Sequence, residues 1–163
     1  MLIVSFVMVL IVAGAWQLFQ PSGRAPDFTL TDMNASIVRL SAYNGKVVLI
    51  DFMATWCGPC RTSVLGLKEI WKTYAHQIVM ISISVDPAYD SISVLASWVN
   101  LYNVTWTHAR DTSSPPVAQL YKVENIPTFI IIDKKGEIRY RHEGITEGWK
   151  EKLLEEVSEL LKE

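Results

Sequence analysis

An α/β fold built on one mixed sheet is predicted by three features of the sequence. Residues 47–53 and 78–85 are apolar at nearly every position, as strands covered on both faces are. Segments with apolar residues at helical spacing lie between and after these runs. Two further strand-like runs, 128–133 and 137–142, close around Lys134-Lys135-Gly136, a hairpin signal. Helices that alternate with buried strands pack onto the faces of a shared sheet.

The elements follow in chain order. Residues 28–30 and 37–40 form a predicted hairpin around the polar Asp32-Met33-Asn34 turn. Asn44-Gly45 then turns into the strand 47–53, whose one charged residue is Asp51. A helix opens near Pro59, because proline is tolerated in a first turn, and carries the stripe Val64, Leu67, Trp71 and Tyr74. After the strand 78–85, Asp90 is expected to cap a helix with the stripe Ile92, Leu95, Val99 and Tyr102. Trp106 is assigned to a short strand, and Pro115-Pro116 opens a short helix through Tyr121. Beyond the second hairpin, Thr146 is expected to cap a last helix with Trp149, Leu153, Val157 and Leu160 on one face. The order is hairpin, β-α-β, an inserted helical segment, then β-β-α.

The chain has 163 residues, with 15 basic and 17 acidic side chains and a net charge of −2. That length suits one domain of ordinary size. Neither a disordered acidic tail nor a basic nucleic-acid binder has this balance, so no nucleic-acid partner is expected. The first 19 residues carry no charge. As a helix they would extend about 28 Å, close to the roughly 30 Å of bilayer hydrocarbon. Residues 1–19 are therefore expected to form a single transmembrane anchor, 20–26 a Pro/Gly-bearing tether, and 27–163 the globular domain. A cleaved signal peptide is the nearest alternative, since Ala13-Gly14-Ala15 has the small-x-small shape of a cleavage site. The segment lacks the charged n-region of such signals, and Trp16 suits a membrane interface. A core helix is a third alternative, against which the run shows no polar face. The first cation is Arg24, too little charge to set orientation.

Both cysteines lie in Trp56-Cys57-Gly58-Pro59-Cys60, after a buried strand and at a helix start. Unpaired N–H groups and the helix dipole stabilise a thiolate there, lowering the Cys57 pKa from about 8.5 toward 7. A thiolate is the nucleophile of disulfide exchange, which passes through a mixed disulfide. Cys60, one turn deeper, is placed to resolve that intermediate. Strand–CxxC–helix in an α/β chain is a strong signal for this chemistry. Competing readings remain. A zinc site needs four ligands, and His76, His108 and His142 are scattered without ligand spacing. A copper(I) module could use both thiolates with Met53 as a soft ligand. A structural disulfide closing so short a loop would stabilise little. A peroxiredoxin-type peroxidase is the other alternative.

Residues 47–61, Val47-Val48-Leu49-Ile50-Asp51-Phe52-Met53-Ala54-Thr55-Trp56-Cys57-Gly58-Pro59-Cys60-Arg61, resemble the active-site segment of thioredoxins. Ala25-Pro26-Asp27-Phe28-Thr29-Leu30, Leu40-Ser41 with Gly45-Lys46, and an insertion over residues 86–123 resemble the TlpA-like, membrane-tethered branch. The resemblance covers about residues 25–160, with the Trp-Cys-Gly-Pro-Cys and Ile126-Pro127-Thr128 motifs as its most specific parts. It implies a thioredoxin fold, with a central mixed sheet flanked by helices, an N-terminal hairpin and a helical insertion. It also implies thiol-disulfide oxidoreductase activity without a cofactor, with Cys57 the exposed nucleophile and Cys60 the resolving thiol.

Other residues are expected to support the exchange, Asp51 and Pro127 by the resemblance. Asp51 would lie beneath Cys60 and assist its deprotonation, and burial raises a carboxylate pKa toward neutrality as that task requires. Asp86 is a weaker acid candidate. Pro127 would be cis and face the cysteines, leaving the Ile126 backbone free to pair with an extended substrate segment. Trp56 would form an apolar wall beside the disulfide. Met53 stands where the family often has tryptophan, and Asn125 where glycine is usual. Neither removes a group the exchange requires. Glu124-Asn125-Ile126-Pro127 does not match the substrate motif of cytochrome-maturation members.

A Gly-Pro pair between the cysteines resembles the reducing members, so a protein-disulfide reductase is expected. A peroxidatic cysteine of the peroxiredoxin type needs a Pro-x-x-x-Thr-x-x-Cys frame. Counting back from Cys57 finds Ala54 and Ile50 at those positions. By resemblance, the partners are disulfide-bearing proteins and a membrane thiol-disulfide protein that donates electrons. The expected location is the cell membrane, with the thioredoxin domain outside the cytoplasm.

Overall fold

A computed structural model describes residues 23–163, so the anchor expected at residues 1–19 lies outside the described residues. Strands β1 (Gly23–Arg24), β2 (Thr29–Thr31) and β3 (Ile37–Arg39) come first, followed by a short 3-10 helix, Leu40–Tyr43. Then come β4 (Val47–Met53), α1 (Gly58–Tyr74), β5 (Ile78–Ser84), α2 (Ile92–Tyr102) and β6 (Thr107–Arg110). Helix α3 (Val117–Leu120), β7 (Thr128–Ile132), β8 (Glu137–Glu143) and α4 (Trp149–Lys162) complete the chain. Among the described residues no helix is long and apolar enough to cross a membrane.

The main sheet has the order β1-β8-β7-β4-β5-β6. Strands β4, β5 and β6 run parallel, while β7 is antiparallel to β4, and β8 and β1 continue antiparallel. The sheet is therefore mixed, as predicted, and β2 and β3 form the separate antiparallel hairpin. All seven residues of β4 are buried because both faces are covered. Side chains alternate along a strand, and the packing separates accordingly. Val47, Leu49 and Met53 pack with Val64 and Leu67 of α1, Trp98 of α2 and Leu153 and Val157 of α4. Val48, Ile50 and Phe52 pack with Leu30 and Val38 of the hairpin and Val117 of α3. Alternation places Asp51 on the first face, the one that carries the cysteines.

Helix α1 lies close to α4 at Gly66. A Cβ built there would come within 2.6 Å of the Trp149 ring, which is itself stacked on Phe129 at a centroid distance of 5.3 Å. With the ring stacked on Phe129, a methyl group at residue 66 would force the two helices to shift.

Several expectations shift in detail. Gly23 and Arg24 of the expected tether pair with Ile138 and Glu137, which anchors the domain's start to the sheet edge. Ser91, not Asp90, caps α2, with its Oγ accepting the Val94 N–H at 3.3 Å. Asp90 is fully buried and used elsewhere. Ile92 is exposed, and Leu95 and Trp98 form the buried part of the stripe instead. Trp106 precedes β6 rather than joining it. Thr146 does not cap α4. Gly148 occupies the cap at φ 72°, a left-handed conformation that glycine adopts without Cβ strain, and Thr146 accepts the Trp149 N–H only through its carbonyl.

Candidate active site

Strand β4 ends at Met53, and Ala54-Thr55-Trp56 carries the chain to Cys57, which is the N-cap of α1 with extended φ and ψ of −71° and 115°. Its Sγ accepts the backbone N–H of Cys60 at 3.2 Å. The Cys57 carbonyl receives the Arg61 N–H, the first bond of the helix. Proline fits the first turn because its missing N–H would have no helical partner there. The sulfur atoms of Cys57 and Cys60 are joined in a disulfide, with the Cα atoms 5.3 Å apart. Once reduced, a thiolate at Cys57 keeps the Cys60 N–H and the helix N-terminus as stabilising partners.

The cysteines differ little in exposure, Cys57 at 4% and Cys60 at 2%. Cys57 is thus not the openly exposed thiol that resemblance implied. The Ile126 carbonyl oxygen lies 3.8 Å from its Sγ. The Ile126–Pro127 peptide is cis, as expected. Trp56 is the large exposed aromatic of the motif, at 47%. Its indole N–H donates to Asp86 at 3.0 Å, while Arg61 donates to its carbonyl. Asp86, considered as an acid, instead holds Trp56 in place.

A second anchor was not legible in the sequence. The buried Asp90 carboxylate accepts from the Thr55 backbone N–H at 3.0 Å, from the Thr55 hydroxyl, and from the Ser84 hydroxyl. Residue 90 thereby ties the turn that presents Trp56 and Cys57 to the end of β5. A Ser/Asp-rich loop gives no sign of which carboxylate turns inward.

Asp51 is buried, and Ser82 donates a hydroxyl hydrogen bond to its Oδ2 at 2.8 Å. Burial pushes the Asp51 pKa up to about 7, and the Ser82 bond works in the opposite direction. His108, buried two strands away in the same row, is pushed down to about 4 by burial and so is neutral at pH 7. The described residues therefore set a disulfide beside the Ile126 carbonyl, with a buried carboxylate on the same face of the sheet. Among the described residues no group of three or more His, Cys, Asp or Glu side chains is gathered as a metal site would require.

Comparison with known proteins places this arrangement. A sequence model of the AhpC/TSA family matches residues 21–141. The thioredoxin-like protein YneN of Bacillus subtilis (strain 168) is 30% identical over 125 residues, spanning 77% of this chain and 72% of that protein. The thiol-disulfide oxidoreductase ResA of Bacillus thuringiensis subsp. konkukian (strain 97-27) is 30% identical over 138 residues, 85% of this chain and 75% of the relative. Among solved structures, a protein assigned as the thiol:disulfide interchange protein DsbE from Chlorobium tepidum superposes with a TM-score of 0.77 at 29% identity. That match covers 86% of this chain and 97% of the other.

Proposed function

The chain belongs to the AhpC/TSA family of thioredoxin-like proteins and is a thiol-disulfide oxidoreductase, and we propose that it works as a protein-disulfide reductase through Cys57 and Cys60. The observation that carries this reading is the Cys57 sulfur at the start of α1, receiving the Cys60 N–H beside the Ile126 carbonyl. The Cys57 thiolate attacks one sulfur of a substrate disulfide. A Cys57–substrate bond forms, the substrate bond breaks, and the departing thiolate takes up a proton. Asp51 then accepts the Cys60 proton, and the Cys60 thiolate attacks the Cys57 sulfur. This closes the Cys57–Cys60 disulfide and expels the second substrate sulfur as a thiolate, which takes up a proton. The substrate gains two electrons and the dithiol loses them.

Trp56, held by Asp86, forms the apolar wall against which a substrate segment packs. The Ile126 backbone, beside Cys57, pairs with that segment as an added strand. The Gly-Pro between the cysteines supports the reducing direction, since thioredoxin itself has a potential of about −270 mV. Purified protein is expected to reduce insulin disulfides at the same rate with and without a chelator. Peroxide turnover that outpaces disulfide reduction, or activity abolished by copper removal, would overturn the assignment in favour of a peroxidase or a copper module.

The same reading places the domain at the cell membrane, outside the cytoplasm, tethered by residues 1–19 and re-reduced by a membrane thiol-disulfide protein. The uncharged run of 19 residues supports it. Fractionation with protease access on intact cells should find the protein in membranes and the domain open to external protease. A product beginning near Trp16, or a fully protected domain, contradicts this placement.

A further inference from the structure

Asp51 occupies one row of side chains that crosses the sheet. In register, His142 of β8, Phe129 of β7, Asp51 of β4, Ser82 of β5 and His108 of β6 lie side by side. The two Asp51 oxygens are not equivalent. Oδ2 accepts the Ser82 hydroxyl at 2.8 Å, whereas Oδ1 is buried with no protein partner. Ser82 Oγ in turn accepts the Trp106 indole N–H at 2.9 Å.

An indole nitrogen can only donate, and a serine hydroxyl has one hydrogen to give. The chain of bonds therefore has a fixed direction, from Trp106 to Ser82 to Asp51. With the Ser82 hydrogen directed at Oδ2, a proton on that oxygen would meet it head-on. Trp106 is itself held, buried, by a stacked His108 ring at 5.4 Å, and His108 Nδ1 lies 2.9 Å from the Trp106 carbonyl. We propose that Ser82 and Trp106 are positioning residues for Asp51, which reserve Oδ2 as an acceptor and leave Oδ1 as the oxygen that exchanges the Cys60 proton.

The inference rests on the reading of Asp51 as the base for Cys60. Titratable groups on this face include Cys57, Cys60 and Tyr74 of α1, Tyr102 of α2, His108 of β6, Glu156 of α4, and Tyr140 and His142 of β8. The last is separated from Asp51 by Phe129 and bonded to Glu156 of α4 at 2.7 Å. Ser82 stabilises the ionised carboxylate. Removing its hydroxyl should make Asp51 hold its proton more tightly and move the resolving step to higher pH.

The test uses reduced full-length protein and a symmetric aromatic disulfide whose released thiolate is coloured. The first burst reports attack by Cys57 and the second reports resolution by Cys60. Ser82→Ala is expected to raise the pH midpoint of the second burst by about one unit, with the first burst unchanged. Trp106→Phe should move it upward by less, since it acts through Ser82. A second-burst midpoint unchanged from wild type in Ser82→Ala overturns the inference. If Ser82→Ala does not fold, an unchanged midpoint in Trp106→Phe does the same. Asp51→Asn should abolish the midpoint; if it persists there, the reading of Asp51 fails and not only the positioning role.

Discussion

Replacement of Cys57 by serine is expected to lower insulin reduction to the uncatalysed rate, and replacement of Cys60 to end turnover after one attack. The two losses differ in kind. Without Cys57 no sulfur stands at the α1 N-terminus, where the Cys60 N–H and the helix dipole stabilise a thiolate. Without Cys60 the first attack still proceeds, but nothing closes the Cys57–Cys60 disulfide, so the substrate stays bound. Both variants should retain the fold, because a disulfide between residues only three positions apart constrains the unfolded state little. Steady-state insulin reduction checks this. Substantial turnover by Cys57→Ser would place the nucleophile elsewhere.

Asp51→Asn is expected to slow the resolving step by roughly a hundredfold, the low end of what a positioned acid–base group contributes, while making the oxidised protein more stable above pH 7. Asp51 titrates at about 7 when folded, because burial disfavours the charge, and near 4 when unfolded. Between those values the folded state binds more protons, so stability falls as pH rises through that window. The full span is on the order of 4 kcal/mol, an upper figure for the gain in Asp51→Asn.

His108 acts in the reverse sense. Burial lowers its pKa to about 4, so the unfolded chain takes up the proton first as pH falls from about 6.5, and stability falls with it. The two slopes oppose each other between about pH 4 and 6.5 and partly offset in wild type. Urea unfolding of the oxidised protein should show a clear loss of stability toward acid in Asp51→Asn, and toward neutrality in His108→Phe. Parallel curves for all three proteins would contradict the buried-charge assignment. A residue that costs stability and serves the reaction is the expected mark of a functional site.

Much of this architecture was legible from hydrophobic pattern. Residues 47–53 declared a strand covered on both faces, and Asp51 stood out because it interrupts an otherwise apolar run. The cysteines and the Ile126-Pro127-Thr128 segment were local signals and needed no long-range information. What stayed hidden depends on which polar side chain turns inward across strands or loops. Asp90 had the residue type of a helix cap but satisfies Thr55 and Ser84 from within the core, and neighbouring Ser91 caps the helix. Ser82 and Trp106 carried no sequence signal, because their bonds to Asp51 exist only once β4, β5 and the approach to β6 are in register. Exposure of Cys57 was expected from resemblance, yet depends on how closely Ile126 and the helix start enclose the sulfur.

Reduced Cys60→Ser protein incubated with insulin, quenched in acid and mapped by mass, tests the assignment of the exchange most directly. A mixed disulfide on Cys57 that dithiothreitol dissolves is the result predicted here. Protein that stays unmodified at Cys57 while insulin disulfides are still being reduced would contradict it.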